Sequence, residues 1–521
     1  MDETTTMLNF ACRSPADNAL SLVSDSRRIL SHDDELLGQF GVTVGKQLLA
    51  VNARVLDCPN VSYLGVPKDG KTKMVTVTPS SGSWNMRSVR VSKPGRPFER
   101  WTWVSISGGR APIIGDDVVL EFARFMNESM GIKISKTPEY VTPREISPEA
   151  IFKQDALEDL FSKLKDNHVQ LILFILPEKD SSGIYSQIKT LGDCTYGIHT
   201  SCVVAKSIAK RSPGYYANVG LKINLKAGGV NHKLREESEF LKDGKTMIVG
   251  YDVTHPTNMS PAQTRAAPSL VGLVASIDKD FAQWPAVSWE QPSRQEILSD
   301  MLRGAFASRL ELWKSHNRGA IPENVIIFRD GVSEGQFSQV ISDELPFIRE
   351  ACEKVCGKKA PKLSIIVSVK RHQTRFYPTD EKEMSNSGNI KNGTVIDRGI
   401  TQARFWDFYL TAHDALQGTA RPAHYTVLLD EIFRAKYQGE AANQLERLTH
   451  ELCYLFGRAT KAVSICPPAY YADIVCTRAR SHRPEFFDTN DTESISTTDS
   501  SPFAASGKDV HPDLRDTMYY I

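Results

Sequence analysis

No run of about 18 apolar residues occurs in the 521-residue chain, so no segment has the length of a membrane-spanning helix. Cysteine is scarce and odd in number, nine residues scattered from Cys12 to Cys476. Such a set argues against a disulfide scaffold and for a reducing compartment. Cys352 and Cys356 lie four apart on an expected helix, but no second pair at zinc spacing accompanies them, which favours packing over metal binding. Met1 to Leu8 is acidic and Thr-rich where an export signal needs basic and then apolar residues, so no signal is expected in that stretch. Together these absences lead to the expectation of a soluble cytoplasmic protein. Net charge is nearly absent too, at +1, so bulk charge alone does not point to a polyanion.

The charge that is present is unevenly placed. Between Tyr185 and Arg235 eight lysines and arginines stand against Asp193 alone, a local net of +7. That is the footprint of a phosphate-binding site or of a solvated basic face. Tyr185 and Lys189 are four apart on one expected helix, and Lys222 and Lys226 on another, so each pair shares a helix face. Two lysines at that spacing repel, and a bound phosphate would compensate. Tyr185 has the chemistry to stack on a terminal base.

Along the chain, residues 1–97 alternate short apolar runs with Pro, Gly, Ser and Asp clusters. They show no core-forming pattern beyond a strand near Val75 that ends in a turn at Gly82. From Arg100 strands and helices alternate: a strand at Trp101–Ile106, an amphipathic helix at 116–126, a helix started by Ser147-Pro148, and a doubly buried strand at Val169–Leu176. This predicts an α/β layer with a mostly parallel sheet. After Gly228-Gly229 a second α/β unit follows. Its apolar strands begin at Thr246, Ser269, Val325, Leu363 and Tyr425, with helices predicted over 294–314, 335–356 and 440–457. Residues 483–513 turn to Ser, Thr, Asp and Gly, a flexible insertion. Leu514–Ile521 is apolar enough to dock back on the body.

Asp252 and Asp330 each close an apolar strand, where open α/β sheets place their chemistry. Carboxylates on neighbouring strands suit Mg²⁺ or Mn²⁺, and two such ions can activate a water against a phosphodiester. An Asp in that position also commonly starts a turn. From spacing alone both readings stand.

Five stretches carry a resemblance. Asp252-Val-Thr-His-Pro256, Arg329-Asp-Gly-Val-Ser-Glu-Gly-Gln-Phe337, Lys370-Arg-His-Gln-Thr-Arg375, Gln417-Gly-Thr-Ala-Arg-Pro-Ala-His-Tyr425 and Pro467-Pro-Ala-Tyr-Tyr-Ala-Asp473 with Arg478-Ala-Arg480 resemble the PIWI domain of eukaryotic Argonautes, in order and separation. The Asp at position 473 makes the chain look most like the quelling-type Argonautes of filamentous fungi. The resemblance implies an α/β architecture: a linker at 1–97, a Rossmann-like MID domain at 98–232, and an RNase H-like PIWI domain at 233–521. It implies a catalytic set of Asp252, Glu296, Asp330 and Asp473, with Asp252, Asp330 and Asp473 holding two Mg²⁺ or Mn²⁺ ions. Glu296 also ends a Ser293-x-x-Glu296 capping box, so a structural role competes with the catalytic one. Glu290 is the nearest rival for its place, and His255 reads as structural.

For the guide, the resemblance implies a 5′-phosphate pocket of Tyr185, Lys189, Cys202, Lys222, Lys226 and Arg478. Ser201 stands where the family usually has a glutamine. Lys370, Arg371, Arg421, Arg458, Ser464 and Tyr470 match positions along the guide backbone, and Pro177–Gly183 matches the loop that meets the first base. The implied partners are a small guide RNA with a 5′-phosphate, complementary target RNA and silencing-complex proteins, and the expected state is a monomer. The family's N-terminal and PAZ domains have no counterpart, which implies a hold on the guide's 5′ end without a 3′-end pocket. The implied activity is Mg²⁺-dependent RNA cleavage leaving a 5′-phosphate and a 3′-hydroxyl. The alternatives are a guide-binding module that does not cut, or another RNase H-like nuclease.

Overall fold

The apolar run near Val169 forms the strand Leu171–Leu176 (β7; strands are numbered along the chain), with all six residues buried. Burial on both faces requires layers on both sides, and they are present. Trp101–Ile106 (β5), Glu145–Ile146 (β6) and His199–Val204 (β8) complete a four-stranded sheet in the order β6-β5-β7-β8 with every pair parallel. Asp116–Phe125 (α1) and Pro213–Lys226 (α3) pack on one face, and Ile184–Thr190 (α2) on the other. Ser147 caps the next turn as expected, its hydroxyl accepting from the Ala150 N–H with Pro148 in first position. This structure is a computed structural model, and it describes every residue except 1–5, 8–10, 32–34, 67–70, 179–182, 237, 258, 416 and 488–507.

The second unit is built on nine strands in the order β1-β15-β16-β17-β14-β13-β10-β11-β12. Its centre, Thr246–Thr254 (β10), Asn324–Asp330 (β13) and Lys362–Val369 (β14), is parallel. Its flanks, Ser269–Ala275 (β11), Ala286–Gln291 (β12), Thr394–Ile396 (β15), Trp406–Thr411 (β16) and Ala423–Asp430 (β17), are antiparallel. The sheet is therefore mixed. Met301–His316 (α4) and Leu345–Cys356 (α5) cover one face. Ala441–Cys453 (α6) and Pro467–Ser481 (α7) cover the other. Gly250 and Gly272 let α7 approach: a Cβ on Gly250 would lie 2.1 Å from the Pro468 carbonyl oxygen, and one on Gly272 2.6 Å from that of Ala472.

Several expectations are corrected. The helix predicted over 294–314 begins only at Met301, and 292–300 is irregular. The Ser293–Glu296 capping box does not form, because the Ser293 hydroxyl donates to the Thr264 carbonyl at 2.6 Å. The helix predicted over 335–356 is interrupted by a π-turn at Val340–Glu344. Residues 1–97 do enter a core. Val61–Gly65 (β2) pairs with Met74–Val77 (β3), Val89–Arg90 (β4) and Lys233–Leu234 (β9), and Val61, Tyr63 and Trp84 are buried in the main cluster. Arg54–Val55 (β1) joins the large sheet through β15. Of these strands only β3 was expected, from the run near Val75; the others, two to five residues long, are too short to show a period. Gly65-Val-Pro-Lys-Asp-Gly-Lys-Thr72 has the spacing of a phosphate-cradling loop, but the strands on either side of it, β2 and β3, pair antiparallel, and residues 67–70 lie outside the described residues. Most of the expected insertion at 483–513 lies outside the described residues. Its end is docked: the His511 N–H donates to the Asp193 carbonyl at 2.9 Å, and Lys165 pairs with Asp513 at 2.9 Å. Met518, Tyr519 and Tyr520 are buried, as the closing segment predicted.

Candidate functional site

The parallel register of β10 and β13 pairs Gly250 with Phe328 and Tyr251 with Arg329. Asp252 and Asp330 follow at the same level of adjacent strands. Asp252 lies within its strand rather than after it, since β10 runs on to Thr254. The close approach of α7 brings Asp473 to the same place. Burial pushes all three carboxyls up from the usual range, and repulsion from neighbouring carboxylates adds to it at two of them: Asp252 rises well above its ordinary value and Asp330 to about 7, while Asp473 is raised by burial alone. The positive charge of Arg371 acts on Asp330 and Asp473 and opposes the rise. Among the described residues no three His, Cys, Asp or Glu side chains converge as a ready-made ion cage. The carboxylates are near enough to repel without yet pointing at one spot. The chemistry of the set, hard oxygen donors destabilised by one another, fits divalent cations.

Glu296 reaches this site from the irregular 292–300 segment. A Cβ on Gly331, whose φ is +90°, would lie 3.2 Å from Asp252 Oδ1 and 3.5 Å from Glu296 Oε1. Glu296 and Asp252 thus border one point, and only glycine leaves it open. Arg329 Nη1 donates to Glu296 Oε1 at 2.8 Å, and His255 Nε2 lies 2.9 Å from Glu296 Oε2. His255 Nδ1 is in turn 2.8 Å from the Ser269 hydroxyl. Burial pushes the Glu296 carboxyl up, but His255 and Arg329 together outweigh it and hold the group below its ordinary range. His255 is therefore a support for Glu296. Glu290 is turned away and pairs with Arg483.

At the junction of the two units a cavity of about 220 Å³ is lined by Tyr185, Lys189, Ser201, Cys202, Lys222, Arg458 and Arg478, among others. Both helical pairs form as expected, Tyr185 and Lys189 on α2 and Lys222 and Lys226 on α3. Lys189 Nζ lies 5.3 Å from the Tyr185 ring centre and donates to the Thr200 hydroxyl at 2.7 Å. Lys222 points into the space, and burial with Arg458 and Lys189 nearby pushes its ammonium down to about 8. Lys226 departs from expectation. It does not line the cavity; it is buried behind it, donating to the Tyr519 carbonyl.

Residues 171–483 match the Piwi domain, and residues 17–63 match the Argonaute linker 2 domain. The chain belongs to the eukaryotic Argonaute family. It is 35% identical over 549 residues to protein argonaute 5 of Arabidopsis thaliana, covering 99% of this chain and 52% of that one. It is 33% identical to the argonaute of Schizosaccharomyces pombe, covering 92% of this chain and 55% of that one. The chain thus spans about half the length of the curated relatives it matches. The solved Kluyveromyces polysporus Argonaute with a guide RNA superposes with a TM-score of 0.78 at 27% identity, covering 100% of this chain and 59% of that one. The N. crassa QDE-2 MID–PIWI domains give 0.61 at 39% identity, covering 83% and 100%. In this Argonaute the four-stranded parallel sheet is the Rossmann-like MID layer, and the nine-stranded mixed sheet is the RNase H-like PIWI layer.

A second Argonaute cavity, of about 340 Å³, shares Lys222 and Arg458 with the first and continues along Lys461, Ser464 and Tyr470. Lys370 donates to the Ser464 hydroxyl, and Tyr470 stacks on Phe456 at 4.7 Å. Of the expected guide-backbone residues, Arg458, Ser464 and Tyr470 line this space. Lys370 stands beside it, with the exposed Arg421 as its largest charged neighbour. Arg371 instead acts on the acidic cluster. Two functional groups were not foreseen. Asp193 is buried, accepts from Arg478 Nη1 at 2.7 Å and lies 3.1 Å from His482 Nε2. Its one sequence signal was being the lone acid in the basic stretch. Glu344, also buried, pairs with Arg329 and had no signal at all.

Proposed function

We propose that this chain holds the 5′-phosphate of a small guide RNA in the Tyr185–Lys222–Arg478 cavity and cuts RNA paired to that guide at the Asp252, Asp330, Asp473 and Glu296 cluster. The observation that carries this reading is the coexistence of two sites of opposite charge joined through α7, which bears both Asp473 and Arg478. Lys189, Lys222 and Arg478 would grip the phosphate, Tyr185 would stack on the first base, and Ser201 and Cys202 would complete the wall. Lys226 would act from behind by fixing the carboxyl-terminal segment. The cavity running on past Arg458, Ser464 and Tyr470 would take the following phosphates, with Lys370 and Arg421 flanking. Such contacts sense strand shape and charge and leave sequence to base pairing.

At the acidic end Asp252, Asp330 and Asp473 would hold two Mg²⁺ or Mn²⁺ ions. When bound, such ions supply an activated water and neutralise charge on the phosphodiester. Glu296, held by Arg329 and His255, would orient the reacting water, and Gly331 leaves room for it. The products would carry a 5′-phosphate and a 3′-hydroxyl. Domain limits at 97 and 232, work as a cytoplasmic monomer, and recruitment of silencing-complex proteins belong to the same proposal.

The test is to load the purified chain with a 5′-phosphorylated guide and add complementary labelled RNA with Mg²⁺ or EDTA. One Mg²⁺-dependent cut at a fixed distance from the guide 5′ end supports the whole reading. Phosphate-dependent guide binding without a cut leaves a guide-holding module and rejects the cutting half.

A further inference from the structure

Glu344 is fully buried and does not line the phosphate cavity, yet its two oxygens meet four donors. Oε1 accepts from the Leu298 backbone N–H at 3.0 Å and from Arg329 Nη2 at 3.1 Å. Oε2 accepts from the Tyr251 hydroxyl at 3.0 Å and from Arg329 Nε at 3.4 Å. Each of these partners adjoins a member of the acidic set: Tyr251 precedes Asp252, Arg329 precedes Asp330, and Leu298 comes two residues after Glu296. The same guanidinium turns its remaining capacity toward Glu296, with Nη1 on the carboxylate and Nη2 on the Glu296 carbonyl, both at 2.8 Å. One buried carboxylate therefore ties β10, β13 and the irregular 292–300 segment together.

We propose that Glu344 is a positioning residue that locks the Glu296-bearing segment into the site, a role that rests on the cutting function proposed above. The π-turn at Val340–Glu344 supports it, because the extra residue in that turn carries Glu344 in where a regular helix would not. The 292–300 segment has no regular backbone ladder of its own, so a side-chain anchor at Leu298 carries much of its order. The chemistry of the anchor is strict. All four contacting groups, from three residues, donate as placed, and only a carboxylate offers two acceptor oxygens. In a Glu344→Gln chain the amide NH₂ faces an Arg329 N–H that cannot accept, Nη2 beside the Leu298 N–H or Nε beside the Tyr251 hydroxyl, whichever way it turns.

Hydrogen–deuterium exchange of the 293–300 peptide, measured beside single-turnover cleavage and guide affinity, tests this on the whole chain. Glu344→Gln should speed exchange at the Leu298 amide by about tenfold or more and slow cleavage by a similar factor. Affinity for a 5′-phosphorylated guide should stay within about twofold, because the phosphate cavity shares no group with this network. Glu296→Gln should lose cutting with the segment still protected, since its backbone carbonyl keeps the Arg329 bond. Wild-type protection of the segment in Glu344→Gln would overturn the proposal whatever happens to cleavage. If that variant fails to fold, Tyr251→Phe removes one donor without removing charge. It should give a smaller rise in exchange, and no rise would again overturn the assignment. If the unaltered chain does not cut, the cutting function fails, while the exchange result still decides whether Glu344 holds the segment.

Discussion

Lys222 illustrates how a single side chain can be tuned by what surrounds it. Its ammonium is pushed down to about 8 because burial and the nearby Arg458 and Lys189 disfavour a further positive charge. A bound phosphate reverses that balance, so binding takes up a proton once the free lysine has lost its own. Affinity for a 5′-phosphorylated guide should then be highest below pH 8 and fall above it by up to about tenfold per unit. Titration of guide binding from pH 6.5 to 9.5 checks this, and Lys222→Arg should flatten the profile because a guanidinium stays charged throughout. At the other site Asp252→Ala or Asp330→Ala should reduce cleavage to background and leave guide affinity unchanged. Undiminished cutting by either variant would remove those carboxylates from the mechanism. Asp252, Asp330 and Asp473 were legible because each sits in a recognisable stretch. Asp193 and Glu344 were not, because a buried ion pair is defined by a partner far away in the chain, Arg478 for one and Arg329 for the other.

At the scale of elements, α7 decides most. Its Pro467-Pro468 start was readable from the chain, and so was the presence of Asp473 and Arg478 on one helix. That this helix lies against β10 and β11 depends on Gly250 and Gly272, which no periodicity marks. Gly250→Ala would set a methyl 2.1 Å from the Pro468 carbonyl oxygen, and the helix would have to move. The expected cost is about 1–3 kcal/mol by chemical denaturation, with cleavage and phosphate-dependent guide binding both weakened. Loss of only one of the two would show that the helix does not couple them. The start of α4 carries the opposite lesson. Ser293-x-x-Glu296 is a sound capping signal locally, but the Ser293 hydroxyl is taken by the Thr264 carbonyl, and the Arg329 guanidinium gives Glu296 a full counter-charge that a backbone N–H lacks.

Across the whole molecule the two layers meet at a buried cluster in which Asp193, from the MID side, pairs with Arg478 and His482 from the PIWI side. Burial pushes the Asp193 carboxyl up, and Arg478 with His482 more than reverses it, holding the group well below the carboxylate range. Removing one member of such a pair leaves an uncompensated buried charge. Asp193→Ala should therefore lower unfolding free energy by about 3–5 kcal/mol and weaken guide binding through a displaced Arg478. An unchanged denaturation midpoint would show that the two layers are held by apolar packing alone. By itself the sequence determined the central strands of both layers and most of their long helices, the family, and the acidic and basic residues worth testing. Those depend on hydrophobic periodicity and on local motifs, which survive in one dimension. Tertiary structure alone decided the mixed sheet, the insertion of β1 and β2 into the body, the turning of Lys226 away from the cavity, and the release of Glu296 from a cap into the site. Each of these depends on which distant group offers the better-buried contact or the stronger counter-charge, and only the folded chain brings such groups together.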